Sequence, residues 1–137
     1  MELKQARLVT GDVPQLTAFY QSLTGATPQV FSAGYVEFQQ SPCEGLAITS
    51  TETVQAYGPE VLAAGANRSV VLDFEVADVD LEYDRLKDVV AAWVLPPTTM
   101  PWGNRAMVFR DPDGNLINMF AASAREAAGA TRDTASA

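Results

Sequence analysis

The stretch that most constrains the fold is residues 101–120, PWGNRAMVFRDPDGNLINMF. Residues 105–109 form one apolar-rich run and residues 116–120 a second. Between them lies Asp111-Pro112-Asp113-Gly114-Asn115. Proline presets φ, glycine supplies a positive φ, and Asp and Asn side chains bond nearby backbone, so the segment predicts a β-hairpin with a longer loop. Asp111, Asp113 and Asn115 are read as turn-formers rather than catalytic groups.

The rest of the chain falls into two similar halves. Residues 3–10 read as a strand that Gly11-Asp12 breaks. Asp12 is placed to cap a helix with Pro14 in its first turn, and Leu16, Phe19, Tyr20 and Leu23 recur at helical spacing before Gly25 ends it. Strands are predicted at 27–31, 35–39 and 46–50, separated by turn residues. Residues 51–68 are irregular, with a break at Gly58-Pro59 and one helical turn expected at 61–64, and read as a connector. A strand at 69–76 follows, then a helix at 79–89 capped by Asp78, with Leu81, Tyr83, Leu86 and Val89 or Val90 as its apolar side. A short strand at 92–95, ended by Pro96-Pro97, leads into the hairpin. The order β-α-β-β-β thus occurs twice, a divergent repeat of roughly 65 residues. The small, polar tail at 122–137 is expected to be disordered.

Composition narrows the function. The 137 residues suffice for one domain with a real core. Apolar runs stay short of the ~20 residues that cross a bilayer, and the N-terminal residues lack a signal-peptide apolar segment. One cysteine, Cys43, permits no internal disulfide and reads as a passive thiol. These features set the expectation of a cytoplasmic protein without a membrane partner. A net charge of −8 disfavours a nucleic-acid partner, which requires a basic surface. The sequence has no histidine, which excludes Ser-His-Asp and Cys-His catalysis and removes the commonest transition-metal ligand.

Three segments carry a family resemblance. PWG followed by RDPDGNLINMF is similar to the last hairpin of the vicinal oxygen chelate superfamily, which groups glyoxalases, bleomycin-resistance proteins and extradiol dioxygenases. LVTGDVPQLTAFYQSLTG, residues 8–25, resembles the opening strand and helix of its first module, and VLDFEVADVDLEYDRLK, residues 71–87, the same opening in its second. The resemblance covers about residues 3–121. It implies an α+β domain of two βαβββ modules, about 3–50 and 69–121 around the connector, forming a curved mixed sheet around a cavity with helices on the outer face. It also implies a homodimer and a small-molecule ligand, aromatic or planar, in the cavity.

Strand alternation assigns faces on that expectation. Leu3, Gln5, Arg7 and Val9 face the cavity from the first strand, Tyr35, Glu37 and Gln39 from the third, Val71, Asp73 and Glu75 from the fifth, and Leu116, Asn118 and Phe120 from the last. Arg7 and Asp73 are expected to pair, and Trp102 to stand at the cavity mouth, whereas Trp93 reads as core. The ligand-binding candidates are therefore Gln5, Arg7, Tyr35, Glu37, Asp73, Trp102, Asn118 and Phe120. Carried over from the family's metal enzymes, the metal-ligand positions fall on Gln5, Val71, Asn118 and a residue near Ala47 or Thr49. Two neutral amides and an aliphatic side chain do not hold a divalent cation, so no metal cofactor and no catalytic residue are expected. The first reading is a metal-free binding protein of the bleomycin-resistance kind. The alternatives are a lyase, isomerase or dioxygenase with a shifted Mn, Mg, Fe or Zn site, a metal-free catalyst with Glu37, Glu75 or Asp73 as base, and a non-catalytic regulatory module.

Overall fold

A computed structural model describes residues 1–122 of the chain, so the tail expected to be disordered lies outside the described residues except for Ala122. The elements run β1 (Ala6–Thr10), α1 (Val13–Thr24), β2 (Gln29–Ser32), β3 (Tyr35–Phe38), β4 (Leu46–Ser50), α2 (Thr51–Val54), a 3-10 turn (Gln55–Tyr57), β5 (Val71–Glu75), α3 (Val79–Leu86), β6 (Ala92–Thr99), β7 (Arg105–Arg110) and β8 (Leu116–Ala121). They form two compact units, one of Met1–Arg68 with Asp111–Asn115, the other of Ser69–Arg110 with the chain from Leu116. Each contains a four-stranded mixed sheet and a helix, the α+β architecture expected from the repeat.

In the first unit the sheet order is β1-β4-β3-β2, with β1 parallel to β4 and the other pairs antiparallel. Helix α1 begins where Asp12 accepts a hydrogen bond from the Gln15 N–H at 3.0 Å, and ends at Gly25, whose φ of 75° is the left-handed cap that glycine takes without strain. Its buried residues are Val13, Leu16, Phe19, Tyr20 and Leu23. They meet Leu8, Ile48 and Val36, cross-strand partners on the helix-facing side of the sheet. Each large apolar side chain buried there contributes about 1.5–3 kcal/mol. The loop Asp111–Asn115 belongs to this unit. The Tyr20 hydroxyl donates to Asp111 Oδ2 at 2.6 Å, and the Asp113 and Asn115 N–H groups both donate to Asp111 Oδ1 at 2.9 Å. The turn aspartate is thus an internal acceptor, as its turn role implied.

Cys43 is buried in the same unit and carries a free thiol. Burial pushes that thiol up to about 11. The folded state holds the thiol proton more tightly than the unfolded chain does, so this stabilisation is complete below the ordinary value of 9.0 and is lost as pH rises toward about 11. Native protein at pH 8 is expected to react with Ellman's reagent at least about a hundredfold more slowly than urea-unfolded protein. Comparable rates would show the thiol to be accessible.

In the second unit the order is β5-β8-β7-β6, with β5 parallel to β8. Two expectations need correction here. Pro96-Pro97 does not end the strand: β6 continues to Thr99. It is an edge strand paired only with β7, and its register shifts between Trp93 and Leu95 and again between Leu95 and Thr98. Prolines are tolerated there because an edge strand has a side that donates to no neighbour. Helix α3 stops at Leu86 rather than Val89, and Leu81 is 66% exposed. Val79, Tyr83 and Leu86, spaced four and three apart, share one face, while Leu81 is turned away from them by its two-residue offset. Tyr83 packs on Trp93 at 5.0 Å between ring centroids, and Trp93, half-buried, on Phe109 at 5.2 Å.

The connector also differs from expectation. Its helical turns lie at Thr51–Val54 and Gln55–Tyr57, not at 61–64. Ser50 decides this by accepting the Thr53 N–H at 3.1 Å, an N-cap that fixes where the turn starts. The first strand is shorter than predicted, beginning at Ala6, which leaves Leu3 outside the sheet and exposed.

Candidate functional site

The candidate residues fall into two sets, one in each unit. In the first unit Arg7, Ala47 and Glu37 are direct cross-strand partners, and so are Val9, Thr49 and Tyr35. Partners across a ladder point to the same face. These six therefore share the face opposite the one that packs on α1, as alternation predicted for Arg7, Tyr35 and Glu37.

Hydrogen bonds tie this face together. Gln5 Nε2 donates to the Tyr35 hydroxyl at 2.7 Å, the Tyr35 hydroxyl donates to Glu37 Oε2, and Gln39 Nε2 donates to Glu37 Oε1 at 3.0 Å. The bonds from Gln39 and then from Tyr35 hold the Glu37 carboxyl below the usual carboxylate range. Tyr35 moves the other way: desolvation raises its hydroxyl first, and donation to Glu37 adds to the rise. At neutral pH the arrangement is a fixed carboxylate beside a fixed neutral phenol. Beside this chain, Arg7 lies under the ring of Tyr57, its guanidinium carbon 5.3 Å from the ring centroid, and donates to the Tyr57 hydroxyl. Phe31 packs on Tyr35 at 5.7 Å. Thr49 is fully buried, and its Oγ1 has no hydrogen-bond partner, an unspent donor and acceptor on the same face.

Tyr57 and Phe31 were missed in the sequence. Tyr57 sits in a connector without periodicity, and Phe31 lies where the β2–β3 register shifts between Val30 and Ser32, so alternation assigns neither of them a face.

The second unit carries the other candidates. Asp73 and Asn118 are register partners, and Asn118 Nδ2 donates to Asp73 Oδ1 at 3.0 Å. Glu75 pairs with Phe120 and Val71 with Leu116 on the same face. Phe120 is half-buried, while Trp102 is 67% exposed in the turn that Gly103, at φ 106°, helps close before β7. Arg7 and Asp73, expected to pair, lie in different units. Each has its partner within its own unit, Arg7 in Tyr57 and Asp73 in Asn118.

The metal positions of the resembled enzymes can be tested against these contacts. Gln5 and Asn118 donate through their amide nitrogens to Tyr35 and Asp73, which leaves one neutral carbonyl oxygen on each, Val71 has no donor atom, and Ala47 and Thr49 supply at most one hydroxyl. Among the described residues no group of three or more His, Cys, Asp or Glu converges as a cation site would require.

Two βαβββ units of this order, each presenting a partly polar sheet face, define a glyoxalase-like protein. The family model of the glyoxalase/bleomycin resistance protein/dioxygenase superfamily matches residues 2–119, and the chain belongs to that superfamily. The Bacillus subtilis protein YraH is 29% identical over 126 residues, spanning 88% of this chain and 98% of its own. A solved protein from Agrobacterium tumefaciens superposes with a TM-score of 0.74 at 24% identity, covering 89% of this chain and 94% of its own. A glyoxalase/bleomycin resistance protein/dioxygenase from Nocardioides gives 0.74 at 24% identity, with 90% and 85% covered. The fosfomycin resistance protein FosX from Mesorhizobium loti gives 0.66 at 17% identity, with 93% and 97% covered. These solved structures share the fold.

Proposed function

We propose that this protein binds a small, aromatic or planar organic molecule and does not transform it, as a metal-free member of its superfamily comparable to the bleomycin-resistance branch. The observation that carries the reading is the Gln5–Tyr35–Glu37–Gln39 chain of hydrogen bonds. It fixes the Gln5 side chain, at a family metal position, against a neighbouring phenol, and it lowers Glu37, one of the three carboxyls considered as a base. A general base works best with a pKa near the operating pH, so lowering Glu37 weakens it for proton abstraction and favours recognition over catalysis. The reading keeps two separate sets of candidate contacts, Gln5, Arg7, Tyr35 and Glu37 on the face of one sheet, and Asp73, Asn118 and Phe120 with the Trp102 turn in the other unit. The reading includes a homodimer located in the cytoplasm, sequestering an antibiotic or toxin.

Metal analysis separates this from the enzymatic alternative. Protein purified without chelator is expected to contain well under one equivalent of Mn, Fe, Zn or Ni, and calorimetric titration with Mn²⁺ or Ni²⁺ to give no saturable heat. A stoichiometric metal, or turnover on adding one, would sink the reading. In a Trp-fluorescence screen of aromatic and peptide antibiotics, Asp73→Ala is expected to weaken any hit about tenfold, the loss of one charged contact. Unchanged affinity would remove Asp73 from the site.

A further inference from the structure

The connector between β4 and β5 lines an open-sided cavity of about 430 Å³ that the sheet-face reading does not use. This volume is within the roughly 300–1,000 Å³ range of small-molecule sites. Its lining divides by chemistry. Val54, Pro59 and Leu62 supply an apolar wall and Thr51 and Gln55 a hydroxyl and an amide; among the described residues Glu60 is the sole charge in the lining, and no Lys or Arg joins it. Val54 is buried at the base, whereas Leu62 stands 47% exposed at the opening. Two backbone features hold the rim. Gly58, at φ 125°, turns the chain after the 3-10 turn, and Glu60 takes a φ of 60°, the left-handed region that a non-glycine residue rarely adopts.

Charge decides what such a cavity takes. A single carboxylate above an apolar wall, with no basic residue to neutralise it, repels anions and leaves a cation as the complementary group. The chain's net charge of −8 acts in the same direction at long range. The hydroxyl and amide add hydrogen-bond acceptors that an ammonium satisfies with its remaining protons. The apolar wall in turn needs a hydrocarbon body to cover it. We propose that the connector pocket binds a small organic cation, a primary amine on an aryl or alkyl body, through the Glu60 carboxylate. The site stands on its own cavity, so its failure leaves the sheet-face reading untouched.

The test is a ¹⁵N–¹H NMR titration of the full chain with three probes of one shape: phenethylamine, the neutral phenethyl alcohol and the anionic 3-phenylpropionate. Phenethylamine is expected to shift amides of residues 51–62 saturably, with a dissociation constant on the order of 1 mM or below. The alcohol is expected to bind about tenfold more weakly and the anion weaker still. Glu60→Gln, a change of charge at nearly constant shape on an exposed residue, is expected to weaken the amine about tenfold and leave the alcohol unchanged. Salt is expected to weaken the amine alone. Equal binding of all three probes, unaltered amine affinity in Glu60→Gln, or no saturable shift up to about 10 mM overturns the proposal. So do shifts confined to the amides of Tyr35, Glu37 and their strand neighbours, which place the amine on the sheet face instead.

Discussion

Asp111→Ala is expected to remove about 3–5 kcal/mol of stability, a large part of the roughly 5–15 kcal/mol available to a domain. The carboxylate is 3% exposed and accepts four hydrogen bonds. Two come from the backbone N–H groups of Asp113 and Asn115, one from Asn115 Nδ2 at 2.7 Å, and one from the Tyr20 hydroxyl at 2.6 Å. Alanine leaves all four donors without their acceptor, and each buried donor left unpaired costs about 1–3 kcal/mol unless the loop opens to water. Opening the loop recovers some of that cost, which is why the expected total stays below the sum of the four. Urea unfolding followed by far-UV circular dichroism measures it, and a loss under about 1 kcal/mol would show that the loop tolerates the missing acceptor.

Tyr20→Phe isolates one arm of the same network. It is expected to cost about 1–2 kcal/mol, because Asp111 keeps its other three donors. It also changes the alkaline limb. Burial first, then the neighbouring Asp111 carboxylate, raises the Tyr20 phenol far above its ordinary value of 10.0. The folded state therefore keeps a proton that the unfolded chain gives up, and stability falls as pH climbs above about 10. Tyr20→Phe is expected to flatten that fall, and an unchanged slope would mean that another group governs it.

Phe109→Ala is the second large effect, about 3–5 kcal/mol. Phe109 is fully buried in the second unit, pairs with Trp93 on β6 and Ile117 on β8, and stacks edge-on against the Trp93 ring. Truncation removes its transfer free energy and leaves a cavity beside the rigid Trp93 ring. Both tryptophans of the chain lie in this unit, so fluorescence-detected unfolding reports on it directly. Leu81→Ala, on the exposed side of α3, serves as control and is expected to stay within about 0.5 kcal/mol. A Phe109→Ala loss as small as the control's would contradict the packing described.

Much of the sheet-face geometry was legible because strand alternation has a period of two and the hydrophobic pattern names the buried face. Val36 and Phe38, and Ile117 and Met119, are buried as read, which places Tyr35, Glu37, Asn118 and Phe120 opposite them. Helix α1 was equally readable, since Asp12, Pro14 and Gly25 mark its ends and four apolar residues mark its face. Where local signals conflict, the reading went wrong. Two prolines outweighed the pairing of β6 with β7, and Leu81 looked like core by composition although its position turns it outward.

Local chemistry in the sequence by itself determined the two βαβββ units, their helix caps, the turn role of Asp111 and the absence of histidine from any site. Those properties depend on neighbours within a few residues, or on composition alone. Tertiary structure decided who partners whom. It gave Arg7 to Tyr57 across fifty positions, Tyr20 to Asp111 across ninety-one, and Asp73 to Asn118 across forty-five. It also folded an irregular connector into a walled cavity. Hydrogen bonds and cavities form between groups that only the packed backbone brings within about 3 Å, a distance that no residue pattern along the chain encodes.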